Sequence, residues 1–184
     1  MPSTRRLVAL VAGPVLAILL ATSVAADPAS PGQAHGTFVN AAGAEIGWIK
    51  LVQDRMGVVH VNVKVDGLST GLHGIHIHAA GSCASTVTTF DGAAGHYNPL
   101  GLEHGLENPA GPHAGDLPNL VVNADGRGTL NAKTDRGTLS AGPATLFDAN
   151  GSAFIIHANP DDQVTNVGNG GSGARIACAA VIAD

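Results

Sequence analysis

Residues 58–65 set Val59, Val61, Val63 and Val65 against His60, Asn62 and Lys64 in strict alternation. Successive strand side chains point to opposite faces, so this run predicts a β-strand with one apolar face and places His60 on the solvated one. The same period governs much of the chain. An opening hairpin turns at residues 41–44, a strand follows at 73–78, and a last one closes the chain at 175–182. Asp125-Gly126 and Asn150-Gly151 are hairpin turn signals, the second with predicted arms at 144–147 and 153–157. With 25 Gly, 10 Pro and only 3% aromatic residues, the composition fits many short strands around a small-residue core.

The alternation fails twice, over residues 79–118 and 158–173. Loops of that length inside a compact domain are usually functional. Strands with two long loops and no helical period argue an antiparallel barrel or sandwich, closed or nearly closed.

The N-terminus is set apart from this pattern. Arg5 and Arg6 precede an apolar run over residues 7–20 and the small-residue segment 21–26. That is the pattern of a secretory signal peptide, and its roughly 14 apolar residues fall short of the ~20 that span a bilayer. The expected division is a signal peptide at 1–26, a flexible Pro-, Ser- and Gly-bearing tail at 27–34, and one domain at 35–184. Such a chain is exported to a periplasm, a cell envelope or the medium, with no stable membrane span once the signal is cleaved. Loss of Arg5 and Arg6 takes the formal net charge from −5 to −7. An acidic chain with no basic run and few aromatic side chains is a poor nucleic-acid binder. Two cysteines in an exported chain, Cys83 and Cys178, suggest one disulfide.

Nine histidines accompany only 12% charged residues. His76 and His78 stand two apart on a predicted strand, so both rings leave the same face and form a two-nitrogen clamp. His157 ends another strand, and His96, His104, His113 and Asp116 lie in the first long loop. A single histidine is usually a hydrogen-bonded structural residue. This joint pattern supplies more neutral nitrogen donors in one region than hydrogen bonding explains. Nitrogen donors suit copper and zinc, and a mixed nitrogen and carboxylate set suits tetrahedral zinc.

The motifs Gly71-Leu72-His73-Gly74-Ile75-His76-Ile77-His78, Gly95-His96-Tyr97-Asn98-Pro99, His104-Gly105, His113-Ala114-Gly115-Asp116-Leu117 and Gly173-Ala174-Arg175-Ile176-Ala177-Cys178 keep their order and spacing over most of the chain. Together they resemble the copper,zinc superoxide dismutases. The resemblance implies an all-β, eight-stranded antiparallel Greek-key β-barrel with two long functional loops. It implies copper held by His76, His78, His96 and His157, and zinc held by His96, His104, His113 and Asp116, with His96 shared. Asp161 then matches the carboxylate that joins His76 to His104 behind the metals, Asp162 faces water, and His73 is structural. Cys83 and Cys178 match the disulfide tying the long loop to the last strand.

The implied substrate is the superoxide anion, oriented by Arg175, with His96 as proton carrier. Whether the chain forms a homodimer stays open at this level. One departure from the family stands out: residues 158–174 hold no Lys, Arg or Glu, so weaker electrostatic steering is expected. A non-catalytic metal-binding barrel is the alternative, and loss of a copper ligand or of the arginine would mark it. None of His76, His78, His96, His157 or Arg175 is missing.

Overall fold

The structure, a computed structural model, describes residues 32–184; the expected signal peptide and residues 27–31 of the expected tail lie outside the described residues. Ten strands form: β1 (Gln33–Asn40), β2 (Glu45–Gln53), β3 (Val59–Val65), β4 (Gly71–His73), β5 (Ile75–His78), β6 (Leu120–Val122), β7 (Gly128–Thr134), β8 (Ala153–His157), β9 (Arg175–Ala180) and β10 (Ile182–Ala183). They pair antiparallel in the order β4-β6-β7-β3-β2-β1-β9-β8-β5, with β10 beside β1. The two ends of this path, β4 and β5, are separated in sequence by Gly74 alone, so the sheet curls until its edges share one chain segment. The result is the expected all-β, nearly closed antiparallel barrel. Among the described residues no helix is long and apolar enough to cross a membrane.

Three expectations are corrected. The strand predicted at 73–78 is two strands at opposite ends of the sheet path, because the chain crosses the barrel seam at Gly74. A Cβ on that residue would lie 2.7 Å from Cβ of Ser172, so only glycine fits the crossing. Residues 144–147 form no strand and contribute only a single bridge, Thr138 to Thr145. Short strands at 71–73 and 182–183 bring the count to ten instead of eight.

The alternation of β3 does what its pattern predicts: Val59, Val61, Val63 and Val65 are buried while Lys64 faces out. Ile49, Leu51, Phe38, Leu130, Phe154 and Ile156 join them inside the barrel. On β5 and β8 the same period has another consequence. Ile75, Ile77, Phe154 and Ile156 fill the barrel, which leaves His76, His78, Ile155 and His157 on the outer face. That face is also buried, since the first long loop folds over it and packs Phe90 and Ala93 against Ala153, Ile155 and Cys178. The Cys83–Cys178 disulfide pins the loop there, as the sequence implied.

Candidate metal centre

His76 and His78 leave β5 side by side, and His157 arrives from the end of neighbouring β8. The first long loop adds His96 through a bridge between His78 and His96, and a second bridge seats Asp116 opposite His76. One ring nitrogen from each of His76, His78, His96 and His157 lies within 4.8 Å of the others.

Which nitrogen is free follows from what the other one touches. His76 Nε2 donates to Oδ2 of Asp161 at 2.7 Å, His78 Nδ1 to the Ala94 carbonyl at 2.9 Å, and His157 Nδ1 to the Gly173 carbonyl at 3.0 Å. The remaining atoms, His76 Nδ1, His78 Nε2, His96 Nε2 and His157 Nε2, are buried without any hydrogen-bond partner. Burial pushes the basicity of His76, His78 and His157 down, to about 3, about 2 and about 4, so each ring is neutral at ordinary pH. Four buried lone pairs aimed at one another are costly unless a cation sits among them. The donor set fits copper.

The second set lies on the far side of His96. Asp116 Oδ1 is 2.9 Å from His104 Nδ1, 3.2 Å from His96 Nδ1 and 3.4 Å from His113 Nδ1. His113 Nδ1 and His96 Nδ1 are 3.2 Å apart. Ligands about 2.0 Å from a tetrahedral zinc lie about 3.3 Å from one another, so these spacings match a zinc coordination shell. His76 also comes within 4.8 Å of His96, His104 and Asp116. Its Nδ1 belongs with the first set, and His113 makes the shorter contacts in the second.

The loop orients Asp116 toward these rings. Its Oδ2 accepts from the backbone N–H groups of Gly105 and His113, each at 2.9 Å, which leaves Oδ1 toward the imidazoles. Burial alone would raise its pKa, but hydrogen bonds from His104, His96 and Gly105 hold it far below the ordinary carboxylate range. Burial alone would likewise lower His104; its bonds to Asp116 and Asp161 prevail and raise it to about 9. A metal ion held here by His104 would have to displace a proton from that ring.

Asp161 stands behind both sets, bonded to His76 and, at 3.1 Å through Oδ1, to His104 Nε2. Two residues that the sequence did not flag fix it. Asn119 accepts from the Asp161 N–H at 2.8 Å and donates to its carbonyl at 2.8 Å. Gly170, at φ +63°, lies so close that a Cβ there would fall 1.9 Å from Asp161 Oδ1. Asn119 carries no sequence signal of this role, whereas a glycine run at 170–171 marks tight backbone without saying against what.

Arg175, the first residue of β9, is half-buried. It donates through Nη1 to the Phe90 carbonyl and through Nη2 to the Ala94 carbonyl, both at 2.6 Å. With Thr88, Thr89, Gly173 and Ala174 it lines an open hollow of about 370 Å³. Asp162 is exposed and caps a turn by accepting from the N–H groups of Val164 and Thr165. His73 is buried away from both sets, bonded to the carbonyls of His157 and Ser69. His60 stands at the surface beside Asp54.

Residues 45–181 match the copper/zinc superoxide dismutase (SODC) family. The chain is 40% identical over 150 residues to the superoxide dismutase-like protein YojM of Bacillus subtilis, covering 80% of this chain and 75% of that one. It is 37% identical to superoxide dismutase (Cu-Zn) 2 of Aquifex aeolicus, covering 81% and 86% respectively. The crystal structure of a SOD-like protein from Bacillus subtilis superimposes with a TM-score of 0.74 at 39% identity, over 80% of this chain and 97% of that one.

Proposed function

We propose that this chain, which belongs to the copper/zinc superoxide dismutase family, converts superoxide to dioxygen and hydrogen peroxide. The observation that carries this reading is the set of four buried, unpartnered imidazole nitrogens, one of them on a ring whose other nitrogen joins a zinc-like set. The family and the two clusters support one copper and one zinc per chain. His76, His78, His96 and His157 are the proposed copper ligands, and His96, His104, His113 and Asp116 the proposed zinc ligands.

The one-electron chemistry that copper supplies when bound is oxidation of one superoxide to dioxygen and reduction of a second, with two protons, to hydrogen peroxide. The chain does the rest. Asp161 holds the N–H of His76 and of His104 in place, which fixes which nitrogen of each ring is free. His96 is the proposed proton carrier: Nε2 takes up and releases a proton on the copper side while Nδ1 stays with Asp116 and His113. Arg175 presents a fixed guanidinium fork at the hollow, where it orients an anion beside the four-nitrogen set. Zinc ligation would hold the first long loop in register.

Residues 1–26 are proposed to be a cleaved signal peptide in a periplasmic, envelope or extracellular setting, with the expected tail ending before Gln33, since Gln33 and Ala34 already pair with β2 as part of β1. The disulfide fits an oxidising compartment.

The non-catalytic reading gains weight from the name superoxide dismutase-like carried by one relative. The complete ligand set and the seated Arg175 favour catalysis here. Metal analysis of the purified mature chain, coupled to a superoxide dismutation assay, decides between them. One copper and one zinc per chain, with activity lost on copper removal, is expected. Full activity without copper, or full copper loading without activity, would defeat the proposal.

A further inference from the structure

Ala94 has φ 62° and ψ −153°, a backbone conformation open to glycine and strained for a residue with a Cβ. The peptides around it are locked. Ala80 N–H donates to the Ala93 carbonyl, Ala79 N–H to the Gly95 carbonyl, and Ala94 N–H to the Asp91 carbonyl. Between these anchors the Ala94 peptide is turned so that its oxygen points into the site. His78 Nδ1 at 2.9 Å and Arg175 Nη2 at 2.6 Å both donate to that one oxygen.

We propose that Arg175, besides orienting an anion, holds the strained Ala94 peptide inverted, so that the ring of His78 is positioned by Arg175 through a shared carbonyl. This rests on His78 being a copper ligand, as argued above. A strained conformation persists only where its surroundings over-determine it. A hydrogen bond from a charged donor is about twice as strong as a neutral one, so the guanidinium supplies the larger part of that restraint. Without it the neutral ring of His78 alone opposes relaxation of the peptide. Once the carbonyl turns away, nothing fixes the tautomer and orientation of His78, and its free Nε2 no longer faces the other three nitrogens. Arg175 supplies no atom to the four-nitrogen set. A role limited to anion orientation therefore predicts no change at copper when it is removed.

The test compares protein loaded with one copper and one zinc in four forms: wild type, Arg175→Ala, Ala94→Gly, and the double variant. Each is read by the electron paramagnetic resonance spectrum of cupric copper, by copper affinity in chelator competition, and by azide affinity. Arg175→Ala is expected to change the copper hyperfine pattern and to weaken copper binding about tenfold or more. Adding Ala94→Gly removes the strain, so the double variant regains the wild-type spectrum while azide affinity stays lost. In metal-free protein Ala94→Gly alone raises the thermal midpoint by roughly 2 °C.

An unchanged spectrum in Arg175→Ala, or a double variant that keeps the altered spectrum, overturns the proposal. So does a metal-free midpoint that falls in Ala94→Gly, a readout that needs no metal loading. Wild-type protein lacking a four-nitrogen copper spectrum would instead defeat the copper assignment itself.

Discussion

His76 Nε2 lies 2.7 Å from Oδ2 of Asp161, with both side chains fully buried. The pair faces no water, so the carboxylate fixes the proton on Nε2 and leaves Nδ1 as the only lone pair of the ring. The same carboxylate also accepts from Nε2 of His104, whose Nδ1 faces Asp116. One side chain thus occupies Nε2 of a histidine in each set and leaves Nδ1 turned toward that set.

Asp161→Asn is expected to weaken binding of both metals by roughly 10- to 100-fold, because an amide offers one acceptor and one donor where two ring N–H groups each need an acceptor. Chelator competition with copper and with zinc measures it. Affinities within twofold of wild type for both metals would refute the bridging role.

The metal-free protein should be most stable near pH 6.5. His76, His78 and His157 have pKa values lowered in the folded chain, to about 3, about 2 and about 4, from about 6.5 unfolded. Below pH ~6.5 the unfolded chain takes up protons that the folded one refuses, so their contribution is lost as pH falls toward those folded values. His104 runs the other way. Raised to about 9, it contributes fully below pH ~6.5 and loses that contribution as pH rises toward 9. Calorimetric midpoints of metal-free protein across pH 4.5 to 9.5 should trace a peak, and a flat profile would contradict these shifts.

Replacing Cys83 and Cys178 together by serine is expected to cost about 4–5 kcal/mol in the chain-entropy treatment, given a separation of 95 residues. The thermal midpoint should fall by roughly 10–15 °C. A fall below about 3 °C would mean that packing of Phe90 and Ala93 holds the loop without the bond.

Arg175 is the only Lys or Arg in residues 79–118 and 158–175, and Asp91, Glu103, Glu107 and Asp162 lie in the same stretches. Long-range attraction of an anion is therefore weak, and the dismutation rate should change little between low salt and ~0.1 M, where screening sets in over about 10 Å. A steep fall with added salt would show that the field is stronger than this charge distribution allows.

Sequence and structure part company at identifiable residues. The strict alternation at Val59–Val65 announced β3 because a half-buried strand needs it, and the two-residue spacing of His76 and His78 announced a shared face for the same reason. The predicted strand at 144–147 failed because a short apolar run has no period to test. There, pairing was settled by distant partners instead, such as the Tyr97 hydroxyl donating to the Thr145 carbonyl. Gly74 gave no warning of the barrel seam, since the need for a missing Cβ arises from Ser172, almost a hundred residues away. The carbonyls of Ala94 and Gly173 were equally invisible, for they are backbone groups that every residue possesses, and Asn119 was hidden because its side-chain amide grips the Asp161 backbone from 42 residues away.

What the chain's order of residues determined by itself is chemical: which donors exist, that they are nitrogens and one carboxylate, and that two of them leave one strand face together. Folding alone decided which nitrogen of each imidazole stays free, because that depends on which oxygen meets the other nitrogen. Those oxygens belong to Asp161, Ala94 and Gly173, which only closure of the barrel and burial of two loops bring within 3 Å of the rings.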